Sequence, residues 1–146
     1  AMAEAARARL KRLGFDLTRV LLEPATTDYM ERYLDVDIAL DTYPWPGGGT
    51  TCDALYMGVP VVTLYGTRRS TRFSYALLSL VGLDELAVQS SAEYVAHAAS
   101  LAGDLDRLDQ LHVSLRARME HSAVMDQEGY MRALEQAYEA AMKGKK

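Results

Sequence analysis

Apolar positions along the chain follow two periods, and the switches between them mark out a series of short elements. Residues 3–13 place Leu10 and Leu13 among Ala, Arg and Lys at helical spacing, and Gly14 stands where a helix would stop. Arg19-Val-Leu-Leu22 is short, apolar and β-branched enough to predict a buried strand before Pro24. Thr26 to Leu34 predicts a short helix with Thr26 or Thr27 as its cap and Asp28 near its positive end. Asp37-Ile-Ala-Leu-Asp41 and Val59-Pro-Val-Val-Thr-Leu-Tyr65 predict two further strands. Between them, Tyr43-Pro-Trp-Pro-Gly-Gly-Gly49 breaks helix and ladder alike and must be a loop. Thr50 or Thr51 is then placed to cap a helix that carries Ala54, Leu55 and Met57 and ends at Gly58.

Downstream, residues 71–81 predict a helix closed by Gly82, Leu86–Gln89 a short strand, and Ser91 with Glu93 and Tyr94 the start of a helix to about Leu101. From Asp104 the pattern is helical, broken around 121–126, with a last helix to about Met142 before a solvated Gly-Lys-Lys tail. Strands alternating with helices through short connections are the signature of parallel βαβ units. The reading is a single α/β domain over 1–146, with an α/β core at about 15–103 and C-terminal helices over 104–146. The strand count is low for a complete doubly wound sheet.

Composition narrows the function classes. With 16 Lys+Arg against 20 Asp+Glu, the formal net charge of -4 argues against broad affinity for nucleic acid or anionic membrane. One cysteine and three scattered histidines supply neither a disulfide framework nor a structural zinc site, so no metal is expected. No apolar stretch is long enough to span a bilayer, and AMAEAARARLKR lacks a signal-peptide core, so a cytoplasmic location is expected.

The segment with chemical content is the glycine loop. Gly48 and Gly49, between a strand end and a helix start, let backbone N–H groups approach an anion, and the helix's free N–H groups and dipole favour negative charge there. Thr50 and Thr51 add hydroxyls, and Asp53, one turn on, is placed to accept from ribose hydroxyls. The same residues are also ordinary loop glycines and helix starters, and neither the dinucleotide fingerprint nor the P-loop lysine is present.

DIALDTYPWPGGGTTCDALYMGVPVVTLYG, followed by Arg72, Ala76-Leu-Leu-Ser-Leu-Val-Gly-Leu-Asp-Glu-Leu86, Glu93-Tyr-Val and the Tyr130–Tyr138 helix, resembles the C-terminal catalytic lobe of O-linked N-acetylglucosamine transferases, in particular bacterial SPINDLY-like members. The likeness runs from about Arg19 to Met142. It implies a Rossmann-like, parallel-sheet lobe of a GT-B glycosyltransferase of the family 41 type, holding a nucleotide-sugar donor, UDP-GlcNAc or UDP, with no further cofactor and no metal. Carried over, Gly48, Gly49, Thr50 and Thr51 would receive the pyrophosphate, Asp53 the ribose, Tyr29 and Arg32 would lie where the uracil ring is contacted, and Arg72 matches a family arginine. Two positions depart from the animal members: Gly48 stands where they carry histidine, and Thr26 or a neighbour where they carry lysine. The resemblance also implies that a protein acceptor is held by an N-terminal lobe and tetratricopeptide repeats outside these residues, so the chain alone is expected to transfer no sugar.

Other groups are less pointed. Arg68 and Arg69 follow the third strand at the ligand edge of such a sheet, where a solvated loop would equally explain them. His97, His112 and His121 have no acid or nucleophile at catalytic spacing, so no catalytic residue is assigned. Cys52 reads as a small buried hydrophobe, Asp41 as a residue that orders the loop, and Tyr43 and Trp45 as either pocket or loop packing. A binding or assembly module with a merely structural glycine loop, and a GT-B enzyme using another nucleotide sugar, are the alternatives.

Overall fold

The computed structural model describes residues 2–144; Ala1 and the Lys145-Lys146 end of the solvated tail lie outside them. Helix α1 (Met2–Arg12) stops at Gly14, whose φ of 85° is left-handed backbone that disfavours a side chain. Three parallel strands, β1 (Ala39–Leu40), β2 (Val61–Leu64) and β3 (Ala87–Val88), pair in the order β1-β2-β3, with Ala39 opposite Val61 and Thr63 opposite Ala87. β2 is central and buried at Val61, Val62 and Thr63, as a strand covered on both faces requires.

Helix α2 (Gly49–Tyr56) crosses from β1 to β2 and α3 (Phe73–Leu80) from β2 to β3. These two touch each other, whereas α4 (Ser91–Gly103) returns across β2 and β3, and α5 (Leu105–Glu120) bridges α4 to α2. Leu108, Leu111, Leu115 and Met119 form one helical stripe of α5 in the same buried cluster as Leu55, Val62, Leu78 and Leu83. Gly58 allows this approach: a Cβ there would stand 2.8 Å from the His112 carbonyl oxygen. Helix α6 (Gln127–Lys143) buries no residue fully, and no described helix is long and apolar enough to cross a membrane.

Two predicted elements differ. Arg19–Leu22 is not a strand: Leu17–Arg19 is a 3-10 turn whose Asp16 cap accepts from the Thr18 N–H at 3.0 Å, and Leu21 is 79% exposed. A strand is stable only beside another; β1 gives its ladder to β2, and no described strand runs beside Val20–Leu22. Thr26 to Leu34 forms a turn followed by a 3-10 helix (Glu31–Asp35), with the Thr26 hydroxyl accepting from the Asp28 N–H at 3.2 Å. Such local bonds compete with the α-helical ladder, and little of this segment packs on the core beyond a half-buried Tyr33. α4 begins at Ser91 as the sequence predicts, and Ser90 caps it in a reciprocal box with Glu93 that holds the Glu93 carboxyl below its ordinary range.

Leu115 is fully buried and Val113 is 77% exposed on the same helix. Leu115→Ala should cost about 3 kcal/mol in urea unfolding, and Val113→Ala no more than about 0.5 kcal/mol.

Candidate functional site

The site begins where β1 runs out into the loop. Asp41, the residue after β1, turns its carboxylate back on the chain that follows: one oxygen accepts from the Gly47 N–H at 2.7 Å and the Thr42 N–H at 3.0 Å, the other from the Thr63 hydroxyl at 2.6 Å. The Asp41 carbonyl accepts from the Tyr94 hydroxyl at 2.8 Å, and burial, with the Asp41 charge nearby, pushes the Tyr94 phenol up from its usual range. Asp41 therefore ties the loop to β2 and α4.

The three glycines have different duties. A Cβ on Gly47 would lie 2.5 Å from Thr51 Oγ1 and 2.6 Å from Thr50 Oγ1, so a side chain here would force both threonines to shift. Gly48 and Gly49 face open space and are exposed. Gly48, not Thr50 or Thr51, is the cap of α2, and no side chain closes that end. The N–H groups at the start of α2 lack intrahelical acceptors by helix geometry and open on a surface without Cβ atoms.

Thr50 and Thr51 are both inside the first turn. Thr50 is exposed, and its carbonyl accepts from the Tyr33 hydroxyl at 3.3 Å. Thr51 is buried, its Oγ1 at 2.9 Å from Ser74 Oγ, and Ser74 donates to the Gly47 carbonyl at 2.9 Å. A hydroxyl has one proton; Ser74 spends its own on Gly47, so Thr51 must donate to Ser74. The expected ligand-facing hydroxyl of Thr51 is therefore corrected to a structural one, and only its backbone N–H remains.

A cleft of about 370 Å³ lies beside the loop, walled by Tyr33, Leu40, Asp41, Trp45, Gly47 and Thr50 among others. Tyr33 occupies the wall; its phenol is raised first by burial, then by Asp53 and Tyr29. Asp53 is half-buried on α2; its carbonyl accepts from the Met57 N–H at 2.9 Å, while its carboxylate has no hydrogen-bond partner among the described residues. Tyr29 is half-exposed outside the cleft wall, and Arg32 is paired with Glu23 at 3.5 Å. The Arg72 guanidinium lies 5.5 Å and 5.2 Å from the rings of Tyr65 and Tyr75, themselves stacked at 4.3 Å, so it is brought to aromatics and not to the cleft. None of the three histidines lines the cleft. Cys52 packs against the core, and burial, then Asp53, pushes its thiol up. From the sequence, Tyr33 and Ser74 have no assigned role and Tyr94 only a place in the Glu93-Tyr-Val segment; their partners are distant in the chain and carry no local signal.

Comparison with known proteins decides the family. A model described as glycosyl transferase family 41 matches residues 2–134. The chain belongs to glycosyltransferase family 41.

Among its relatives, the probable UDP-N-acetylglucosamine–peptide N-acetylglucosaminyltransferase SPINDLY of Oryza sativa subsp. japonica is 44% identical over 132 residues, 88% of this chain and 14% of that protein. The Arabidopsis thaliana SPINDLY is 40% identical over the same shares, and the Caenorhabditis elegans UDP-N-acetylglucosamine–peptide N-acetylglucosaminyltransferase 27% identical over 84% of this chain and 11% of that one. A solved structure of a Thermobaculum terrenum O-GlcNAc transferase mutant superposes with a TM-score of 0.72 at 40% identity, covering 81% of this chain and 23% of that one. The chain thus spans about a seventh of the length of the curated SPINDLY relatives it matches.

This family 41 chain builds its loop on Gly47 and leaves its surface to Gly49. Gly47→Ala should destabilise by about 1–3 kcal/mol through the clash with Thr50 and Thr51. Gly49→Ala, at the first helical position, should change stability by less than about 0.5 kcal/mol, both read by thermal unfolding.

Proposed function

We propose that residues 1–146 form the nucleotide-binding part of the donor lobe of an inverting GT-B glycosyltransferase that moves N-acetylglucosamine from UDP-GlcNAc to Ser or Thr hydroxyls of proteins. The observation that carries this reading is the open start of α2, where uncapped N–H groups meet space free of Cβ atoms beside a cleft. Membership of family 41, with relatives named for that transfer, supports the donor and acceptor classes.

In such a transfer the acceptor oxygen attacks the anomeric carbon, the bond from that carbon to the diphosphate oxygen breaks, and the acceptor's proton passes to a base. Charge develops on the leaving diphosphate, and preorganised donors held there stabilise it without reorganising. The N–H groups from Gly48 to Thr51 and the Thr50 hydroxyl would take that role, with Asp53 receiving the ribose hydroxyls. A base is not in view within the cleft: both Asp41 oxygens already accept, and the Tyr33 phenol is shifted away from ionisation. The acceptor, the base and the contacts to the uracil ring beyond Tyr29 and Arg32 would come from outside this chain, which alone transfers no sugar.

Calorimetric titration with UDP tests the reading. Saturable binding should appear with UDP, and Asp53→Ala should weaken it at least roughly ten-fold, the loss expected for hydrogen bonds to a charged group. Undiminished binding by Asp53→Ala, or turnover by residues 1–146 alone, would refute it.

A further inference from the structure

Resting on the donor-site reading, we propose that Arg68 is the side chain that neutralises the bound diphosphate, reaching it past Trp45 from the neighbouring loop. The demand is electrostatic. A diphosphate at the start of α2 meets about half a positive charge from the helix end. No Lys, Arg or His lines the cleft, while the Asp41 carboxylate is in its wall and Asp53 lies one turn along α2. Among the described residues, two or more negative charges would sit there against that half charge, which favours a cation placed nearby.

Of the other arginines near this edge, Arg69 is exposed too but lines neither this cleft nor the cavity beside it. Arg32 is paired with Glu23, and Arg72 is held over the Tyr65–Tyr75 stack. Arg68 is exposed and makes no ion pair with any described carboxylate. It lines a second cavity of about 310 Å³ with Tyr43, Trp45 and Ser70, and Trp45 is the wall common to both cavities.

Its backbone is fixed although its head is free. The Thr71 hydroxyl donates to the Arg68 carbonyl at 2.8 Å and accepts from the Gly66 N–H at 3.1 Å. A Cβ on Gly66 would stand 3.2 Å from the Tyr43 phenol oxygen, so the Arg68 loop and the glycine loop interlock. A guanidinium presented from a rigid loop, with a planar fork of donors, suits the paired oxygens of a diphosphate better than a single exposed lysine would.

The test compares UDP with uridine on the full-length protein. Arg68→Ala should weaken UDP roughly ten- to a hundred-fold and leave uridine unchanged, with Arg68→Lys in between and thermal unfolding unaltered. If Arg68→Ala leaves UDP affinity intact while Asp53→Ala reduces it, the donor site stands and the Arg68 assignment falls. An equal loss for UDP and uridine also overturns it, since the effect would then be on the shape of the site. Absence of UDP binding by the unaltered protein overturns the donor-site reading itself, and Arg68 with it.

Discussion

Everything near the site depends on the Asp41 carboxylate. It sits at the exit of β1 and accepts from Gly47 at the far side of the loop and from Thr63 on the central strand. A chain with Pro44, Pro46 and three successive glycines has few ways to bond to itself, so a single charged acceptor that gathers two N–H groups and a hydroxyl replaces the missing ladder. With Gly47 pinned, its carbonyl receives Ser74 and its Cα face receives the two threonine hydroxyls, and only then does α2 start where it does. Both carboxylate oxygens are thereby occupied in holding the loop.

That arrangement separates a rigid side of the loop from an available one. Gly47, Thr51 and Ser74 form a buried relay of hydroxyl protons running from Thr51 to Ser74 to the Gly47 carbonyl. Gly48, Gly49 and Thr50 remain exposed, and their N–H groups keep no partner in the helix. An anion-binding terminus works only when its donors are fixed in place yet unspent, and the relay supplies the fixing without drawing on those donors.

Much of this was legible in the residues. The βαβ alternation, the loop at 43–49 and the helix after it follow from proline, glycine and periodicity, and the buried β2 follows from its run of β-branched residues. What was not legible depends on distant neighbours. Arg19–Leu22 has strand composition, but composition does not provide a second strand, and the segment stays unpaired. Thr51 reads as a ligand hydroxyl until Ser74, 23 residues on, is brought against it by α3. Arg72 has the charge for phosphate, yet two tyrosines from the end of β2 and from α3 stack and claim its guanidinium.

The cleft's polarity has a last consequence. Its wall offers backbone donors, the Tyr33 hydroxyl and one saturated carboxylate, with Leu40 and Trp45 as exposed apolar surface beside them. Under the proposed donor reading, such a surface would suit a ligand with an anionic middle and flatter, less polar ends, because the donors converge at the α2 start while the ring faces and Leu40 flank it. A nucleotide sugar has that order of parts. A helix start alone would accept any small anion; in that reading the flanking groups would make an anion site selective for a particular neighbour on each side of the phosphates.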